Sequence, residues 1–139
     1  MLTFLFLNTP TCDQIDALIY LYQEAKWWSA EIDDRDLIKA IITGSHCFCV
    51  ATAKHKIIGM GRAISDGASD AYIQDVVVSK AFRHKGIATQ IITRLIEKLE
   101  ADGISWIGLI AENNSAGFYH RFGFTSMENS TPMLRLRKL

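Results

Sequence analysis

The chain has 139 residues and carries 15 lysines and arginines against 15 aspartates and glutamates, a formal net charge of zero. That length buries one core and is short for two, so a single domain over 1–139 is expected. Nothing in the even charge balance argues for a polyanionic partner such as a nucleic acid, and none is expected, so any anion site has to be local.

The opening "MLTFLFLNTP" is apolar, but it has no basic leading region and no small-residue cleavage site. Its apolar run is too short to span a bilayer, so it reads as a first strand, with no membrane segment expected. Thr11 or Asp13 can cap a helix in which Ile15, Leu18, Ile19 and Tyr22 recur at helical spacing. A second helix is expected from near Asp33, with Leu37, Ile38, Ile41 and Ile42 on its apolar side and Gly44 at its end. "HCFCVATA" and "KIIGMGRAIS" flank Lys54 and His55 as a hairpin, and "SDGASD" turns the chain into "AYIQDVVV", the third strand of an antiparallel meander. After residue 86 the pattern becomes helix 86–100, strand "ISWIGLI", helix 114–121, and then "GFTSM" and "PMLRLRKL" as closing strands. The fold class is α/β or α+β with a mixed sheet. Cys12, Cys47 and Cys49 are an odd and sparse set, which suits a reducing compartment and makes a cytoplasmic location the default.

The helix from residue 86 is the most regular element, with Ile87, Ala88, Ile91, Ile92, Leu95, Ile96 and Leu99 in one stripe. It is joined to the strand "IQDVVV" through the short connection "SKAFRHKG". The first amides of a helix have no helical partners, and a phosphate can satisfy them while gaining from the helix dipole. Gly86 removes the side chain that would block close approach, and Arg83 and Lys85 add charge, or are solvated turn residues. Neither a GxxxxGK[ST] loop nor a GxGxxG after the first strand is present, so the phosphate belongs to neither of those nucleotide sites.

"RHKGIA" resembles the [QR]-x-x-G-x-[GA] signature of the GNAT acetyltransferase superfamily, with "GMGRAISDG" and "YIQDVVV" before it and "GFYHRFGF" after it, a likeness over about residues 46–125. The resemblance implies a GNAT fold, a mixed central sheet with splayed parallel strands between helices, and acetyl-CoA as cosubstrate. It places Val76, Val77 and Val78 along the pantetheine arm and the diphosphate on the amides of Arg83, His84, Lys85, Gly86, Ile87 and Ala88. Many relatives carry an asparagine seven residues before a helical tyrosine. Glu112 stands there in this chain, followed by Asn113 and Asn114, and Asn114 is the candidate for that contact.

The same resemblance puts a general acid on Tyr119, which would protonate the departing CoA thiolate; packing in a core with Phe118 and Phe122 is its plainer role. Asp75 is the candidate base, directly or through water, with an amine counter-ion or a loop cap as alternatives. The segment "KWWSAEIDD" would form the acceptor site, Trp27 and Trp28 facing the acceptor's apolar body and Glu31 drawing in its amine, unless a tryptophan is core and the acids cap the second helix. No metal is expected: Cys47 and Cys49 share one strand face while His46 points to the other, unlike the turns that hold zinc. The implied reaction is direct acetyl transfer to a primary amine in a ternary complex, most plainly a small molecule. A peptide acceptor or a noncatalytic acyl-CoA sensor are the alternatives, and a homodimer is left open.

Overall fold

The computed structural model describes residues 1–137. They divide into two compact units, Met1–Gly108 and a second that starts at Leu109. In chain order the elements are β1 (Leu2–Phe6), α1 (Cys12–Glu24), α2 (Arg35–Gly44), β2 (Cys47–Ala53), β3 (Lys56–Ser65), β4 (Asp70–Val78), a 3-10 turn (Lys80–Phe82), α3 (Ile87–Ala101), β5 (Trp106–Leu109) and α4 (Ala116–His120). The strands form one mixed sheet in the order β1-β2-β3-β4-β5, with the first four antiparallel. This is the mixed α/β class read from the sequence. Among the described residues no helix is long and apolar enough to cross a membrane.

In the first unit, local chemistry sets each boundary. Thr11, not Asp13, caps α1: its Oγ1 accepts from the Gln14 amide at 3.2 Å, and Gln14 Oε1 accepts from the Thr11 amide at 2.8 Å. Asp34 caps α2 by accepting from the Leu37 amide at 3.0 Å. Leu37 itself is exposed, so the buried side of α2 is carried by Ile38 and Ile42. Lys54 and His55 both take left-handed backbone, as a two-residue type I′ hairpin turn requires.

The two sheet faces have different cores. Phe48, Val50 and Met60 join Ile15, Leu18, Leu21, Tyr22, Ile38 and Ile42 under α1 and α2. On the other face α3 lies on β2, β3 and β4 with Ile87, Ile91, Ile92, Leu95 and Leu99 buried. It approaches closely because Gly59 and Gly61 have no side chains: a Cβ on Gly61 would stand 2.8 Å from Ile91 Cγ2. Cys49 pairs with Gly61 and Cys47 with Ala63, so both thiols are buried on the α3 face. Cys12, at the start of α1, is exposed.

The later elements are shorter than the sequence suggested. β5 covers four residues, and the last helix begins at Ala116 because Asn113 and Asn114 are both left-handed. Neither "GFTSM" nor "PMLRLRKL" forms a strand among the described residues. The final Lys138 and Leu139 of that expectation lie outside them.

Candidate active site

The irregularity in the sheet lies in β4. Met60 pairs with Val77 and Arg62 with Gln74, so Gly61 alone faces both Asp75 and Val76, a bulge of one extra residue. Asp75 is left-handed, with φ 56°, which costs a non-glycine residue about 1–2 kcal/mol. Its carboxylate compensates. Oδ2 accepts from Arg62 Nε at 2.7 Å and from the Tyr22 hydroxyl at 2.7 Å. The pair is sheltered, with 15% of the Arg62 side chain and 22% of the Asp75 side chain exposed. Burial pushes the Tyr22 phenol far above its usual range, and the Asp75 charge and hydrogen bond push it further, so Tyr22 stays a proton donor.

Beyond the bulge the strand is less covered. Before it, Ala71 and Ile73 are buried in alternation; after it, Asp75, Val76 and Val77 are all only half-buried, although β4 is an inner strand by order. β5 meets β4 near its start, where Trp106 lies edge-on to Tyr72 at 5.2 Å. Val76 faces α3, Val77 packs on the core under α1, and Val78 is buried.

The turn between β4 and α3 is shaped by left-handed backbone. His84 and Gly86 are both left-handed, at φ 64° and 76°, and flank Lys85, an alternation that turns successive amides toward one side. Gly86 is the N-cap of α3 without a side-chain cap bond, and a Cβ there would meet nothing within 4 Å. The Ile87 side chain is buried and Ala88 half-buried, so these two positions present backbone. Arg83 is committed elsewhere: its Nε donates to the Val78 carbonyl at 3.0 Å and its amide points to the Lys80 carbonyl at 3.5 Å. It braces the strand end, and the open amides are those from His84 to Ala88.

The segment between α1 and α2 is held against α1. Gln23 Nε2 donates to the carbonyls of Ala30 and Ile32 at 3.3 and 2.8 Å. Trp28 is half-buried on the core and stacks on Tyr22 at 5.0 Å, whereas Trp27 is 42% exposed. Of the acceptor candidates, Trp28 is therefore the core residue, while Trp27 and Glu31 remain at the surface. Glu24, at the end of α1, accepts from the Lys80 amide at 2.9 Å and ties this region to the turn after β4.

In the second unit, Tyr119 sits in an aromatic cluster, 5.0 Å from Phe118 and 6.0 Å from Phe124. Burial, and then the Glu112 carboxylate, raise its phenol above the ordinary value, so it is protonated throughout the neutral range. It is half-buried, not a closed core residue. Asn114 is exposed in the turn before α4.

Sequence reading missed Tyr22 and Arg62 as parts of this site. Tyr22 reads as one more apolar position of α1, and only an arginine inside an otherwise apolar strand signals a buried anion. His46, from "HCFC", is bonded through Nε2 to Asp102 Oδ2 at 2.7 Å at the end of α3.

The family model of the acetyltransferase (GNAT) domain matches residues 11–133. GCN5-related N-acetyltransferase 1, chloroplastic, of Arabidopsis thaliana is 41% identical over 69 residues, 50% of this chain and 35% of that protein. This chain thus spans well under half the length of the curated relatives it matches. Among solved structures, a GNAT-family acetyltransferase from Streptococcus pneumoniae aligns with a TM-score of 0.78 at 20% identity over 100% of both chains. A protein from Clostridium acetobutylicum solved with acetyl-CoA aligns with a TM-score of 0.74 at 16% identity over 96% of both. These likenesses show the fold, and with most of the chain covered by the family model, the chain belongs to the GNAT acetyltransferase family.

Proposed function

We propose that the chain is a single catalytic domain that moves an acetyl group from acetyl-CoA to a primary amine. The observation that carries this reading is the half-buried stretch of β4 from Asp75 to Val77, which leads into the left-handed turn before α3. Val76 to Val78 would receive the pantetheine arm along the strand, and the amides from His84 to Ala88 would hold the diphosphate, with the α3 dipole behind them. Asn114 is the pantetheine contact carried over from the family pattern.

Acetyl-CoA supplies the activated acyl group as a thioester. The residues of this chain do the rest. Asp75 Oδ2 is taken by Arg62 and Tyr22, which leaves Oδ1 to face the amine. Asp75 is the proposed base, which takes the ammonium's proton directly or through one water. Tyr119 donates its proton to the departing thiolate. Trp27 and Glu31 border the acceptor, an amine of small-molecule size. Transfer is direct: burial pushes the Cys47 and Cys49 thiols up to about 11 and about 12, so neither supplies a thiolate nucleophile. Three cysteines, an odd and sparse set, suit a reducing compartment, and we place the protein in the cytoplasm.

The test is a panel of amine classes with acetyl-CoA, read by thiol release beside a thermal shift with CoA. Turnover with at least one small amine is expected. CoA binding with no turnover on small amines or peptides would leave a sensor, and no CoA binding would remove the reading.

A further inference from the structure

We infer that Tyr22 and Arg62 are positioning residues for acetyl transfer, acting together as a clamp that holds the β4 bulge at Asp75. The inference rests on the acetyl-transfer reading for its consequence, though not for the clamp itself.

Asp75 keeps a left-handed backbone inside a strand, a state that persists in a non-glycine residue only where its surroundings over-determine it. Both bonds that do so converge on one oxygen and come from different elements, Tyr22 from α1 and Arg62 from β3. Each donor is itself fixed. The Tyr22 ring is 3% exposed, lies nearly parallel to Trp28 at 26°, and its carbonyl receives the amides of Trp27 and Trp28, both at 3.1 Å. Arg62 Nη1 reaches Ser45 Oγ and Nη2 reaches Gln74 Oε1, each at 3.4 Å. With burial keeping the phenol protonated, the clamp does not open by ionisation of Tyr22 near neutral pH.

The bulge sets the course of the rest of β4. Val76 turns to the α3 face, where its Cγ2 would stand 3.2 Å from a Cβ on Gly61, while the next residue, Val77, turns to the core under α1. The orientation of Asp75 therefore fixes which way the backbone edge of Val76–Val78 points, and that edge is the proposed seat of the donor. Because the Tyr22 carbonyl also anchors Trp27 and Trp28, the clamp joins the acceptor segment to the donor strand.

The test uses the full chain with Tyr22→Phe, which keeps the stacked ring and loses one hydroxyl, and with Arg62→Gln and Arg62→Lys. Two readouts are taken: steady-state kinetics, and amide hydrogen exchange over Asp75–Val78. Loss of one hydrogen bond to a charged group corresponds to roughly a tenfold change. Tyr22→Phe and Arg62→Gln should each lower kcat about tenfold and speed exchange at those amides about tenfold, with the acetyl-CoA KM moving about threefold or less. Arg62→Lys should recover part of both. A double-mutant cycle separates the clamp from simple packing. On an Asp75→Gly background, which lacks the carboxylate and needs no help to stay left-handed, adding Tyr22→Phe should not change amide exchange over Val76–Val78 further, and the cycle is read on exchange alone. If Tyr22→Phe costs the same with and without Asp75, or leaves β4 exchange unchanged, the clamp is refuted. Should the parent prove inactive on every amine, the exchange cycle still decides the clamp, and only the acetyl-transfer reading falls.

Discussion

Adding one methyl group at Gly61 tests how closely α3 is seated on the sheet. The Gly61→Ala Cβ would lie 2.8 Å from Ile91 Cγ2 and 3.2 Å from both Leu95 Cδ1 and Val76 Cγ2. Carbon atoms settle at about 3.5–4.0 Å, so the helix or the bulge has to retreat by about 1 Å. Ile91 and Leu95 are fully buried and have nowhere to rotate. Overpacking of this kind costs about 1–3 kcal/mol, and the stiffer unfolded chain of alanine offsets about 0.4–1 kcal/mol of it. Taken at the middle of both ranges, the net loss is about 1.3 kcal/mol, which for a domain of this size lowers Tm by roughly 4 °C. Thermal unfolding is the assay, and Gly44→Ala, whose new Cβ meets nothing within 4 Å, is the control that should hold its Tm or gain slightly. A Gly61→Ala protein that melts with the parent or above it would refute the close seating of α3, and with it the reason its N-terminus stands at the end of β4.

At the turn, Gly86→Glu should abolish CoA binding by isothermal titration while Gly86→Ala, with the same left-handed strain, keeps most of it; equal affinities would mean that the turn faces only solvent. Tyr119→Phe should lower kcat about a hundredfold with the acetyl-CoA KM within about threefold, and parental turnover would make the ring a packing group alone. The His46 hydrogen bond, and then Lys98, hold the Asp102 carboxyl below its ordinary range. A depressed carboxylate contributes stability that is present above its unfolded value near 3.9 and is lost as pH falls through the folded value. Asp102→Asn should therefore melt below the parent at pH 6, with the two curves converging as pH drops below about 4; parallel curves would exclude the linkage.

The elements legible in the sequence were those with strong local signals. The cap at Thr11, one of two candidates, the stripe of α3 and the two-residue turn at Lys54–His55 all depend on neighbours in the chain, and the structure has them. The glycine turn was legible for the same reason. The bulge was not, because "YIQDVVV" alternates well enough for a regular strand and the extra residue appears only against its partner β3. Nor could Tyr22 be joined to Asp75, which is 53 residues away. Nor was the bond from Arg83 Nε to the Val78 carbonyl legible, since it closes across the turn at the strand end. The closing strands were read from alternation alone, and alternation names a face without naming a neighbour to pair with.

The placement of the cysteines bears on how transfer is measured. Cys47 and Cys49 lie under α3 with thiols that stay protonated, and Cys12 is exposed at the first turn of α1. A disulfide dye added to the native protein should therefore consume one equivalent per chain, and three once the chain is denatured. The baseline of a thiol-release assay is then known in advance and equals the enzyme concentration. Replacing Cys12 with serine removes that baseline, and keeping it gives a single handle for a fluorophore on a chain whose other two thiols report, by their reactivity, whether α3 is still closed on the sheet.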